Sequence, residues 1–204
     1  MFARSVTVTG DPGAIDEGIT YIRDEVQPTI TQMDGCAGMS LVVDRGSGRC
    51  IVTSSWDSQE AMQEAADRLA PMRARGAEIV GGEPMVDEWE IAIMHRDQLS
   101  APEACCRITW GRTPDIDRHI DMFRSMILPR LEEAEGFCSA SLFVDRAGGR
   151  ICGTVTFDSQ AALDATRERA TMLRDQAQAT SGIEFDDVAE FELVLAHLHV
   201  PELV

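Results

Sequence analysis

The sequence predicts an α+β protein built from two tandem copies of one β-α-β-β-α-β module of roughly 100 residues. Three observations predict it. The chain aligns with itself almost without gaps: Val43-Asp44-Arg45 falls on Val144-Asp145-Arg146 at an offset of 101 residues, and Asp57-Ser58-Gln59 falls on Asp158-Ser159-Gln160. Each half carries helical stripes between strand-like alternating segments. Each half also has one glycine-bearing hairpin.

The elements follow in order. Ser5 to Thr9 alternates as a strand, and Arg107 to Trp110 is its counterpart. Ile15, Ile19, Ile22, Val26, Ile30 and Met33 then recur at helical spacing, as do Ile116, Ile120, Phe123, Ile127 and Leu131. Pro28 and Pro129 are expected to interrupt the last turns, and Gly35 and Gly136 to end them. Two strands follow, about Met39 to Val43 and Arg49 to Trp56, joined by the tight turn Asp44-Arg45-Gly46-Ser47-Gly48. Asp57 is expected to cap the second helix, with Glu60 reaching back, and the helix runs through Met62, Leu69 and Met72. Trp89 to Met94 and Phe191 to Ala196 close the modules.

This order implies a ferredoxin-like antiparallel sheet with both helices on one face. The uncovered face needs a partner, and the second copy supplies one. The expected domains are residues 1–97 and 104–204, joined by the polar connector 98–103.

Strand alternation sorts the two sheet faces. The helix side is expected to collect Val6, Val8, Leu41, Val52, Trp56, Trp89, Ile91 and Ile93. In the second copy it collects Ile108, Trp110, Leu142, Val144, Phe157, Phe191 and Leu193. The other side collects Thr7, Ser40, Thr53, Ser55, Glu90 and Ala92, then Thr109, Ser141, Thr154, Thr156, Glu192 and Val194. Meeting of the hydroxyl-rich faces would leave Glu90 and Glu192 in a semi-polar interior. There they are candidate acid–base residues or members of a structural network.

Charge excludes some functions. A net charge of −17, with all 18 basic residues arginine, argues against nucleic acid, whose binding relies on cations displacing counterions. The strand-like start and short apolar runs predict a cytoplasmic chain without a membrane span. Six cysteines show no C-x-x-C pair, so reduced thiols are expected and no metal site is predicted.

The helix end Pro28 to Gly35, the strands Met39 to Trp56 and the junction Ser55-Trp56-Asp57-Ser58 resemble antibiotic biosynthesis monooxygenase (ABM) domains of the dimeric α+β barrel superfamily. The resemblance spans nearly the whole chain, once per repeat. It implies an intrachain pseudo-dimer, with further homodimerisation left open. The superfamily includes cofactor-independent oxygenases, haem degraders and members without known activity. The best-understood oxygenases and haem degraders use an Asn with a Trp, and a His in the haem cases. This chain has no Asn, so that set does not carry over, and Trp56 at the family's strand-end aromatic position reads as structural.

The resemblance further implies a small-molecule pocket between the helices and sheet of each module, better furnished in the second. Trp110, His119, Phe123, Phe157, Phe191 and His197 are its candidate ligand-binding residues, set against a plain hydrophobic core. His119 and His197 join Glu90 and Glu192 as catalytic candidates. His95 and His197 stand at equivalent strand ends, and His199 follows two residues later. The function expected is binding of a small aromatic or hydrophobic molecule, with cofactor-independent monooxygenase activity and no cofactor. The alternatives are a non-enzymatic stress, regulatory or assembly protein, and haem binding through His119, His197 or His95.

Overall fold

A computed structural model describes residues 1–98, 102–198 and 201–204. The first repeat runs β1 (Phe2–Thr9), α1 (Ile15–Tyr21), α2 (Gln27–Ile30), β2 (Cys36–Asp44), β3 (Arg49–Trp56), α3 (Gln59–Val80) and β4 (Met85–Arg96). The second runs β5 (Cys105–Arg112), α4 (Ile116–Met122), α5 (Leu128–Glu132), β6 (Phe137–Asp145), β7 (Arg150–Phe157), α6 (Gln160–Ala165), α7 (Arg167–Ser181) and β8 (Glu184–Leu198). The fold is therefore α+β with two βαββαβ halves. Part of the expected connector, residues 99–101, lies outside the described residues, and so does His199.

The chain forms two units that exchange their last strands. Unit 1 holds Met1–Trp89 and Glu192–Val200, and unit 2 holds Glu90–Phe191 and Pro201–Val204. Strand order in unit 1 is β4-β1-β3-β2-β8, and in unit 2 it is β8-β5-β7-β6-β4. In unit 1 the second half of β8 pairs antiparallel with β2, Met39 opposite His197. In unit 2 the second half of β4 pairs antiparallel with β6, His95 opposite Ala140.

Pro28 and Pro129 act as expected, with a specific outcome. Each lacks the N–H that would bond four residues back, and the helix widens into a π-turn just before it, at Ile22–Val26 and Phe123–Ile127. The second-helix cap differs from expectation. Ser58, not Asp57, caps α3 by accepting from Ala61 N–H at 3.1 Å, while Asp57 N–H donates to Gly35 at 2.8 Å. Ser159 does the same for α6.

The face assignment holds for the central strands. Val6, Val52, Ser54, Leu41 and Val43 look toward the helices of unit 1. Thr53 points the other way, paired with Ser5 and Ser40. In unit 2, Gly153 and Val155 lie on the helix side, and Thr154 between them points away.

The last strands of the modules need correction. Trp89 donates to Ser5 Oγ at 3.0 Å, so it lies on the hydroxyl-bearing face. Glu90 is opposite Val144 on the helix side of unit 2, and Glu192 is opposite Val43 on the helix side of unit 1. Neither carboxylate lies in a shared interior. Arg146 clamps Glu90 at 2.7 Å and Asp117 at 2.7 Å, and Arg45 clamps Glu192 and Asp16 at 2.8 Å each. The cause is a β-bulge in each strand, between Ile91 and Ile93 and between Leu195 and Leu193. A bulge reverses the alternation that carries a face assignment along a strand. Ala92 consequently packs on the core of unit 2, and Val194 beside Ile15, Leu41 and Val43 in unit 1, while Leu193 pairs with Val42 on the opposite face.

These clamps are half-exposed surface pairs. Glu90→Gln and Glu192→Gln are each expected to lower stability by no more than about 1 kcal/mol in urea unfolding.

Candidate functional site

Each unit encloses a cavity between its sheet and its helices. That of unit 1 measures about 90 Å³ and that of unit 2 about 130 Å³. The second is close to the roughly 150 Å³ of an engineered cavity known to hold one benzene ring.

The same elements build both cavities, and the differences lie in single residues. At the 101-residue offset Gly18 becomes His119, Ile22 becomes Phe123 and Val52 becomes Gly153. On the first strands, Arg4 and Arg107 are equivalent, because each pairs with a glutamate and bonds a helix carbonyl, Met62 or Leu163. That places Val6 opposite Thr109 between the repeats. In unit 1 a Cβ on Gly18 would meet Val80 Cγ2 at 3.0 Å, so a side chain there has little room. Unit 2 has Ser181 at the position of Val80, and an imidazole is accommodated.

His119 is the central group. It sits in α4, which Asp115 caps by accepting from Arg118 N–H at 3.0 Å. The residue is 5% exposed, and its Nδ1 is buried without a hydrogen-bond partner. Burial lowers its pKa to about 4, so the ring is neutral at pH 7. Phe123 and Phe157 form apolar walls, with Leu142, Ile151 and Val155. Thr109 and Arg107 supply polar groups from β5.

Of the sequence-predicted ligand residues, the cavity brings together His119, Phe123 and Phe157. Trp110 and Phe191 meet edge to face at 6.3 Å, but away from the cavity. Residues Arg107 and Thr109, their neighbours on β5, line it instead. Apolar Ile108 and Trp110 had pointed sequence reasoning toward the helices, yet the opposite face is also buried: Cys106 and Ile108 are 1% and 6% exposed. His197 is exposed and belongs to unit 1. In unit 2, His95 has its Nδ1 against Glu202 and its Nε2 2.8 Å from Glu132, and it stacks on Phe137. Sequence reasoning missed Thr109, Arg107, Arg130 and Arg174 at the cavity. The stripe spacing of α5 and α7 offered a signal for the last two.

Cys106 and Cys152 are buried, and burial pushes the Cys106 thiol well above its ordinary value. All six cysteines are free thiols.

With this geometry in place, comparison with known proteins identifies the lineage. The antibiotic biosynthesis monooxygenase profile matches residues 1–70, which is most of the first repeat. The chain belongs to the antibiotic biosynthesis monooxygenase family. Its similarity to the uncharacterized protein Rv2557 of Mycobacterium tuberculosis H37Rv is 48% identity over 206 residues, covering all of this chain and 92% of that protein. An anthrone oxidase-like protein shares the fold at a TM-score of 0.66 with 14% identity, covering 100% of this chain and 94% of the other. A heme-degrading enzyme from Listeria monocytogenes does so at 0.50 with 9% identity, covering 93% and 98%. Within this ABM chain Trp56 is structural: it is fully buried and donates to Ser54 Oγ at 3.0 Å.

Proposed function

We propose that unit 2 binds a compound of about one aromatic ring with a hydroxyl group, and oxidises it with dioxygen without a cofactor. The observation that carries the reading is His119, which lines the cavity beside the walls of Phe123 and Phe157 and whose buried Nδ1 has no hydrogen-bond partner. A buried polar atom without a partner costs about 1–3 kcal/mol, and a ligand hydroxyl would relieve that cost. In the tautomer with its proton on Nε2, Nδ1 accepts from the ring hydroxyl. Withdrawing that proton raises the ring's electron density and primes it to reduce dioxygen. Conversion of a phenol to a quinone balances with one O₂: one oxygen atom enters the ring and the other leaves as water, the substrate supplying all four electrons. The family membership and the anthrone oxidase-like fold relative support this chemistry by analogy.

The low pKa of His119 favours a second reading. An imidazole near 4 holds a proton poorly and is better suited to orient a hydroxyl than to deprotonate it. Under that reading the chain is a non-enzymatic ring-binding protein. Haem binding is the less favoured alternative: a porphyrin is several times larger than the cavity that His119 lines, and His95 is engaged by two carboxylates.

Oxygen-electrode measurements with phenol and hydroquinone separate the two. Oxidation predicts uptake that His119→Gly, the residue of unit 1, lowers by about 100-fold or more. Ring binding by NMR without oxygen uptake supports the binding-protein reading. Absence of both removes the proposal.

A further inference from the structure

Four of the 18 arginines line the unit 2 cavity, in a chain of net charge −17: Arg107, Arg130, Arg169 and Arg174. Arg107 is used internally. Its Nε and Nη2 donate to Glu190, its Nη1 to Thr166 Oγ1 at 3.0 Å, and its Nη2 also to Leu163 O at 3.1 Å. The other three form a more exposed rim on the helices. Arg130 on α5 and Arg174 on α7 are half-buried, and Arg169 is exposed.

The rim is under-neutralised. Arg169 reaches Glu133 only at 3.5 Å, and Arg174 Nη2 donates to Thr171 Oγ1 at 3.0 Å. The Arg130 side chain makes no hydrogen bond or ion pair among the described residues. Burial first, and then the like charge of Arg107, lower the pKa of Arg174, against the opposing pull of Asp175 and Glu190. Glu190 is itself held by Arg107 and Arg167. In unit 1 the position of Arg130 is Thr29, and that of His119 is Gly18. Only unit 2 combines the imidazole with the extra cation.

We infer that the ligand of unit 2 is a one-ring compound bearing a carboxylate, which Arg130 and Arg174 hold at the rim while the ring hydroxyl meets His119. Guanidinium groups match a carboxylate in shape and charge, and a half-buried setting strengthens the pairing relative to water. The ring lies between Phe123 and Phe157, and an anion in the rim offsets the repulsion between Arg107 and Arg174. This inference rests on the ring-binding reading above and names the class of compound that the site takes.

Calorimetric titration with 4-hydroxybenzoate and 4-hydroxybenzamide tests it, because the two differ mainly in charge. The acid is expected to bind about tenfold more tightly than the amide. Arg130→Gln and Arg174→Gln are each expected to narrow that ratio, weakening the acid more than the amide. Arg130→Gln removes no internal hydrogen bond, so the fold tolerates it. Equal affinity for acid and amide, or a preference that survives both substitutions together, overturns the carboxylate and leaves the ring site standing. If neither probe binds, the ring site falls with it.

Discussion

Arg107→Met is expected to destabilise unit 2 by about 3 kcal/mol or more, the larger of the stability losses predicted for this chain. The Arg107 side chain is 7% exposed and the Glu190 side chain 24% exposed, so screening by solvent is slight. Methionine roughly matches the aliphatic stem in volume, but it leaves Glu190 with one cationic partner, Arg167, and the Leu163 carbonyl without this donor. It also frees Thr166, whose hydroxyl donates to Leu163 O at 2.7 Å and accepts from Arg107. That hydroxyl sits at the break between α6 and α7. The first repeat has Ala65 at the same position, and its helix runs unbroken from Gln59 to Val80. Arg4→Met removes the matching pair with Glu88 and the bond to Met62, yet no threonine. A smaller loss in unit 1 is expected. Hydrogen exchange resolves the two units: amides of β5 and β7 should lose protection in Arg107→Met, and those of β1 and β3 in Arg4→Met. Unchanged protection in β5 would show that the buried pair stabilises nothing.

The sequence conveyed the fold through features that survive in the structure as contacts. The stripe Ile116, Ile120, Phe123, Ile127 and Leu131 forms the helical wall of the unit 2 core and cavity. His119 was legible as a site residue for the same reason, because it stands one turn from Ile116 and Phe123 on that wall. Other features were hidden by local geometry. The bulges at Ala92 and Val194 leave no mark in the hydrophobic pattern, so one phase was carried through β4 and β8 and put Glu90 and Glu192 on the wrong side. On β5 the usual link between apolar character and the helix side failed, since both faces of that strand are buried. Arg107 and Thr109 consequently took the cavity side, and Trp110 the other. A polar residue facing a helix becomes intelligible only with its partner, and Glu190 is 83 residues away in sequence.

His119 is expected to make this protein sensitive to acid in a defined window. Above pH 6.5, the ordinary value for an imidazole, the ring is neutral in both folded and unfolded chains, and its contribution to stability is complete. As the pH falls from 6.5 toward 4, the unfolded chain binds a proton that the folded chain resists, and stability drops by about 1.4 kcal/mol per pH unit. The loss from this one group reaches about 3 kcal/mol near pH 4 and then stops, because the folded form also protonates. His119→Gln keeps a polar side chain of similar reach and does not titrate. Unfolding in urea at pH 7 and at pH 4.5 should therefore show a smaller acid loss for the variant, by about 2–3 kcal/mol. The carboxylates titrate in both proteins and cancel in the comparison. A ligand that donates to Nδ1 binds the neutral ring, so it should depress the imidazole pKa further and hold the folded state open to a lower pH. NMR titration of the His119 ring reads this directly. Protonation near pH 6.5 in the folded chain would mean that water reaches Nδ1, and an imidazole so hydrated would lack the unpaired atom that a ligand hydroxyl is proposed to satisfy.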